Sequence, residues 1–188
     1  LELKGDRAHT ARPWMGRNAI HRLHHVLSAI ENHESRNPVI EGCQYREALQ
    51  VVKVEGGIAG NVVPDSSTLT INHRVAPDRD LDTAEEEIRE LLSPFMEDED
   101  QLLVVDSAPP ARPGLDNPML ASMIAKHHLD VEAKLGWTDV AFFDERGIPA
   151  VNFGPGDATL AHTRNEQIER SSIDQCYVAL KQMITEGV

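Results

Sequence analysis

The run ALQVVKVEGGIAGNVVPDSSTLTINHRV (residues 48–75) carries two strands in succession. Ala48 to Val54 is rich in β-branched residues, and Gly56-Gly57 breaks it. After GNVVPD, Ser67 to Val75 alternates: Leu69, Ile71 and His73 on one face, Thr68, Thr70, Asn72 and Arg74 on the other. Upstream, Leu1 to Lys4 alternates in the same way. Arg17 to His33 has Ile20, Leu23, Leu27 and Ile30 at helical spacing, and Asn37-Pro38 ends it. Downstream, Leu81 to Glu97 reads as a second helix, with Asp82 or Thr83 as its cap and Glu85-Glu86-Glu87 in its first turns. Gln101 to Asp106 reads as a last strand. The order strand, helix, strand, strand, helix, strand is the ferredoxin-like split βαβ plan, and residues 1–107 can close as one α+β domain.

Ser107 to Pro118 is a proline-rich linker, including APPARPGLDNP. Beyond it the pattern predicts a helix (Met119 to His128), a strand (Val131 to Leu135), a helix (Asp139 to Arg146) and a strand (Ala150 to Phe153). The loop GPGDATLAHTRNE (154–166) and a closing helix (Ser172 to Glu186) follow. Parallel strands are normally buried on both faces within a larger sheet. Residues 108–188 therefore read as the end of an α/β domain.

The chain has 188 residues, with 31 acidic against 18 basic residues and a net charge of -13, which argues against nucleic-acid or anionic-membrane partners. No apolar run spans a bilayer, and LELKGDRAHT has no secretory apolar region. Cys43 and Cys176 suggest neither a disulfide framework nor a four-thiolate zinc site, so a cytoplasmic setting is the default expectation. Leu1 is an unusual start, and the expectation is that an N-terminal part precedes it.

Several residues carry candidate chemistry. His162 lies in a loop after a strand, where open α/β sheets place ligands. A neutral imidazole there can bind zinc, but one ligand is not a site, and a loop histidine needs no function. His9, in GDRAHTARPW, can donate to a developing oxyanion or simply be exposed. His21 and His25 have the spacing of a helical zinc pair, yet Arg22 stands where HExxH has its glutamate, which favours a solvated face. His128 with Asp130, and Glu85-Glu86-Glu87, are explained by helix ends.

Four stretches together change this reading: AHTARPWMGRNAIH (8–21), GGIAGNVVPDSSTLTINHR (56–74), GWTDVAFF (136–143) and GPGDATLAHTRNE (154–166). In this order they resemble the zinc aminoacylase/carboxypeptidase family of metallohydrolases. The resemblance covers essentially the whole chain and the second half of a typical member. It implies a ferredoxin-like lid domain that forms a homodimer (1–107), followed by the C-terminal part of an α/β catalytic domain (108–188). It further implies a complete site with two Zn2+ ions (Co2+ as a substitute), a glutamate base and a small, charged N-acyl amino acid substrate. By resemblance, His162 is a zinc ligand and His9 the oxyanion donor that reaches the partner's site. Asn61 binds near the scissile amide, Arg74 takes a substrate carboxylate, and Gly136, Thr138 and Asp157 line the pocket. The family's other metal ligands and its base belong upstream of the lid, so this chain alone is expected to be inactive and to bind zinc weakly. A non-catalytic dimerisation module is the competing expectation.

Overall fold

In the computed structural model, which describes residues 1–186, the elements run β1 (Glu2–Lys4), β2 (Ala8–His9), α1 (Ala19–Glu31), β3 (Val39–Ile40), β4 (Cys43–Gln44), β5 (Ala48–Gly56), β6 (Val62–Val63) and β7 (Ser66–Arg74). They continue with α2 (Leu81–Leu92), α3 (Pro118–His127), α4 (Val140–Asp144) and α5 (Arg170–Glu186). Two units separate. The first holds Leu1–Val39, Gln44–Pro110 and Leu135–Trp137; the second holds Ile40–Cys43, Ala111–Lys134 and the chain from Thr138 onward.

In the first unit β7 is central in an antiparallel sheet of order β1-β7-β5. Its alternation does the work read from the sequence: Ser67 and Leu69 are buried, and Thr68 and Arg74 are exposed. The β5–β7 ladder slips by one residue between Val51 and Lys53, leaving Val52 as a bulge on the free edge, 62% exposed. Helices α1 and α2 cover one face. Leu3, Leu23, Val26, Ile30, Leu49, Leu69, Ile88 and Leu92 form the core, each such burial stabilising by about 1.5–3 kcal/mol.

Asn18 caps α1 by accepting from the N–H groups of Ile20 and His21 at 2.9 and 3.1 Å. The buried stripe of α1 is Ala19, Leu23, Val26 and Ile30, so Ile20 and Leu27 lie at its margin rather than within it. The buried Ser67 hydroxyl donates to Ala19 O at 2.9 Å and fixes the start of α1 on the sheet. Asp80 caps α2 by accepting from Thr83 N–H at 2.8 Å, which corrects the expectation of Asp82 or Thr83. Asp80 holds that role because it has extended backbone one residue before the helix begins.

The expected strand at Gln101 to Asp106 shrinks to one bridge, Gln101 to Glu2, with N–O distances of 2.8 and 3.0 Å. Pairing there is antiparallel, and residues beyond Leu102 join no ladder among the described residues. Leu103, Val104 and Val105 are exposed in consequence.

In the second unit, α3 and α5 pack together and α4 is a single short turn of helix; Met123, Ala141 and Ala179 are buried. Asn117 caps α3 through the N–H groups of Met119 and Leu120. The expected strands at Val131 to Leu135 and Ala150 to Phe153 do not form. A strand exists only when its N–H and C=O groups find a neighbouring strand, and no described segment is laid beside either stretch as a ladder.

Candidate active site

The first unit brings two of the candidate residues together. Beyond β1, the chain keeps company with the segment before β7: Gly5 N–H donates to Asp65 O at 2.9 Å, and β2 then pairs with β6, Ala8 opposite Val63 and His9 opposite Val62. Thr10 N–H donates to Asn61 O at 3.0 Å. His9 and Asn61 are thus neighbours on one exposed ribbon. The ribbon's base is a bridge between Asp6 and Arg17, flanked by Gly5 and Gly16. A Cβ at Gly5 would sit 2.2 Å from Arg17 O, and one at Gly16 2.5 Å from Asp6 O, so both positions require glycine.

The His9 ring has a defined tautomer. Ala11 N–H donates to Nδ1 at 3.0 Å, so the neutral ring carries its proton on Nε2. That leaves Nε2–H as the outward donor, the group an oxyanion needs.

Arg74 is the last residue of β7, opposite Ala48, and is exposed. The nine-residue strand from Ser66 spans about 26 Å at ~3.3 Å per residue, and the His9–Asn61 ribbon lies past its other end. Within one chain, Arg74 and His9 do not share a small ligand.

Thr138 and Asp157 have local partners. Thr138 O accepts from Ala141 N–H at 3.0 Å at the start of α4, and Thr138 Oγ1 accepts from Asn152 Nδ2 at 3.0 Å. Asp157 accepts from the N–H and hydroxyl of Thr159 at 2.8 and 2.6 Å, and these bonds hold its carboxyl below the usual carboxylate range. Gly136 is exposed in the short stretch grouped with the first unit.

His162 is exposed at φ +63, and its N–H donates to Glu166 Oε2 at 3.0 Å. A left-handed histidine is uncommon. The other two non-glycine cases among the described residues have local reasons: Glu41 lies in the β3–β4 turn, and His128 ends α3. Among the described residues, no group of three or more His, Cys, Asp and Glu side chains can hold a metal ion. The donors present therefore do not build a metal centre; His162 stands as a single donor.

Glu47 stands in no sequence motif. It precedes β5 with its side chain only 2% exposed, and it pairs with Arg79 and Arg36. Nothing in its local sequence distinguishes it from a solvated charge. Half-buried His73 lies nearby. Burial pushes its imidazole below the ordinary value, helped by Arg79 and opposed by Glu47 and Glu87.

The fold is one already seen in solved structures. A tripeptidase structure from Staphylococcus aureus superposes with a TM-score of 0.71, covering 99% of this chain and 50% of that one at 19% identity. Family models cover residues 1–186: residues 1–100 match the peptidase dimerisation domain, and residues 80–186 match peptidase family M20/M25/M40. The chain belongs to that family of metal-dependent hydrolases. It is 44% identical over 173 residues to a Mycobacterium tuberculosis protein named for succinyl-diaminopimelate desuccinylase, covering 92% of this chain and 48% of that protein. It is 41% identical over 183 residues to the succinyl-diaminopimelate desuccinylase of Corynebacterium glutamicum, covering 97% of this chain and 50% of that protein. The chain spans about half the length of the curated relatives it matches. No described helix is long and apolar enough to cross a membrane.

Proposed function

We propose that this chain forms the lid (1–107) and the C-terminal catalytic segment (108–188) of a cytoplasmic amidohydrolase that cleaves N-succinyl-LL-2,6-diaminopimelate to succinate and LL-diaminopimelate. The identity of 44% and 41% to two relatives named for that activity, over nearly the whole chain, carries this reading. The enzyme works as a homodimer through the lid, in keeping with the dimerisation-domain match.

In this reading His9 donates Nε2–H to the oxygen that gains charge as the amide carbonyl becomes tetrahedral, a bond that tightens in the transition state. Asn61, its neighbour on the ribbon, binds beside the scissile amide. Arg74 offers its planar fork to a substrate carboxylate. The length of β7 supports a division between protomers: His9 and Asn61 act on substrate held by the partner's Arg74. Gly136, Thr138 and Asp157 line the pocket, Asp157 chiefly by shaping the loop that it caps. His162 is one ligand of a centre of two zinc ions, which cobalt can replace; its left-handed backbone is the kind of local strain found at functional loops. The other ligands and the general base come from the part of the relatives' length that this chain does not match.

The test uses the polypeptide in which this chain is joined to a segment matching the other half of those relatives. Zinc-dependent release of succinate from N-succinyl-LL-diaminopimelate, faster than release of acetate from N-acetylornithine, is expected. His9→Ala should lower kcat about 100-fold or more with little change in KM, the range for one oxyanion donor. The 188-residue chain alone should release nothing. Preference for N-acetylornithine, or activity of the isolated chain, overturns the reading.

A further inference from the structure

The end of the sheet that carries Arg74 is tied by charges the proposed chemistry does not use. Ala48 pairs with Arg74 in the ladder, and Glu47 is the next residue outward on β5's side. Two residues past Arg74, Ala76 N–H donates to Glu47 Oε1 at 2.9 Å. A side-chain carboxylate thus takes over where the backbone ladder stops. Glu47 Oε2 accepts from Arg79 Nη2 at 2.6 Å, and Arg36 Nη1 reaches Oε1 at 3.2 Å. Arg79 continues to Glu87 on α2, and Arg36 to Asp78. The Glu47 and Arg79 side chains are 2% and 12% exposed, and Arg79 Nε is buried with no hydrogen bond among the described residues. Apart from the Arg36–Glu47 bond, every bond of this cluster ends on residues 76–79, the turn that leaves Arg74.

Stability alone is a poor reason for such a cluster, because well-packed apolar residues often do as well as a buried ion pair. What an ion pair adds is a single geometry. Arg74 needs one: a guanidinium meets a carboxylate bidentately only if its Cα is held in place. We propose that Glu47 is a positioning residue for Arg74, acting through Ala76 and Arg79 to fix the backbone from which Arg74 reaches a carboxylate-bearing substrate. This rests on the role of Arg74 proposed above.

The experiment is a double-mutant cycle in the full-length enzyme, reading kcat and KM for N-succinyl-LL-diaminopimelate, with circular dichroism as a check on folding. Glu47→Gln keeps an oxygen for Ala76 N–H and removes the charge that orders Arg79. It should raise KM about fivefold or more with kcat changed less than about twofold, and add almost nothing in an Arg74→Ala background. Arg79→Lys keeps a charge, loses the fork, and should give the same KM-selective change at smaller size. A Glu47→Gln effect that is equally large with and without Arg74, or absent while Arg74→Ala raises KM, overturns the positioning role alone. An Arg74→Ala enzyme with unchanged KM overturns the carboxylate-binding reading itself. Should Glu47→Gln fail to fold, the Arg79→Lys cycle with Arg74→Ala decides by the same criteria.

Discussion

The two units are built from the same residue types and differ in how much of their backbone is paired and how much of their apolar surface is buried. In the first, β1 and β5 both pair with β7, and leucine, valine and isoleucine side chains from two helices and three strands close one core. In the second, helices α3 and α5 meet but the β-prone stretches stay unpaired; beyond residue 110 only Met123, Ala141 and Ala179 are buried hydrophobics among the described residues. Phe142, Phe143, Ile173, Tyr177, Val178 and Ile184 remain exposed. Helices satisfy their own backbones and strands do not. Helices α3 and α5 therefore form in the second unit without a ladder beside them, whereas β1 and β5 of the first unit are strands because β7 lies between them.

The sharpest way to break this contrast is to attack what closes the first unit. Asp100, with a fully buried side chain, takes the Arg22 guanidinium at 2.8 and 2.6 Å and the N–H groups of Lys4 and Glu97 at 2.7 Å each. Asp100→Ala leaves the buried Arg22 with only the Glu97 carboxylate at 3.7 Å and two carbonyl acceptors, strips the Lys4 and Glu97 N–H groups of their acceptor, and should destabilise the first unit by about 3 kcal/mol in urea titration followed by circular dichroism. A loss below about 1 kcal/mol would mean that the pair is far better solvated than its burial implies.

Core truncation is expected to come next and to differ between units. Leu69→Ala, in a side chain 1% exposed, should cost about 2–5 kcal/mol, while Leu180→Ala on α5, 40% exposed, should cost less than about 1 kcal/mol in the same titration. Equal losses would show that the second unit is as tightly packed as the first.

The smallest effect is a pH dependence confined to the first unit. The imidazole of His73 sits below its ordinary value of 6.5 because it is buried, with Arg79 adding to the shift. The unfolded chain therefore binds a proton near 6.5 that the folded chain refuses. Stability is fully present above that pH and declines as the pH falls below it, until the folded group also protonates. His73→Gln should flatten the fall that begins as the pH drops through 6.5 in thermal denaturation. The Asp100 carboxyl marks a separate, more acidic stage. Burial would raise it, but Arg22 and the two backbone N–H groups outweigh that and hold it below 3.8, so its stabilisation is lost only as the pH falls further.

Much of the first unit was legible before any coordinates. The alternation of residues 67–74 named its own buried face, the helical spacing placed α1 and α2, and the order of elements implied the topology. The misses have physical causes. Ile20 and Leu27 fall at helical spacing with Leu23 and Ile30, but the sheet meets α1 on the side of Ala19, Leu23, Val26 and Ile30. Asp80 was missed as a cap because several polar residues stand in a row, and only backbone conformation distinguishes them. The strands at 101–106, 131–135 and 150–153 were read from residue preference, which says that a segment suits a sheet but not that a neighbour is there to receive it.

The candidate site divides along the same line. Sequence by itself determined the local chemistry: a histidine in AHTARPW, an asparagine in GNVVPD, an arginine at a strand's end and a histidine in a glycine-rich loop, because motifs and periodicity are written in neighbouring residues. Only the tertiary structure decided which of them meet. It set His9 beside Asn61, put the His9 proton on Nε2 and placed the length of β7 between that pair and Arg74. It also closed the strand end with Glu47, since contacts across a sheet depend on residues far apart in the chain.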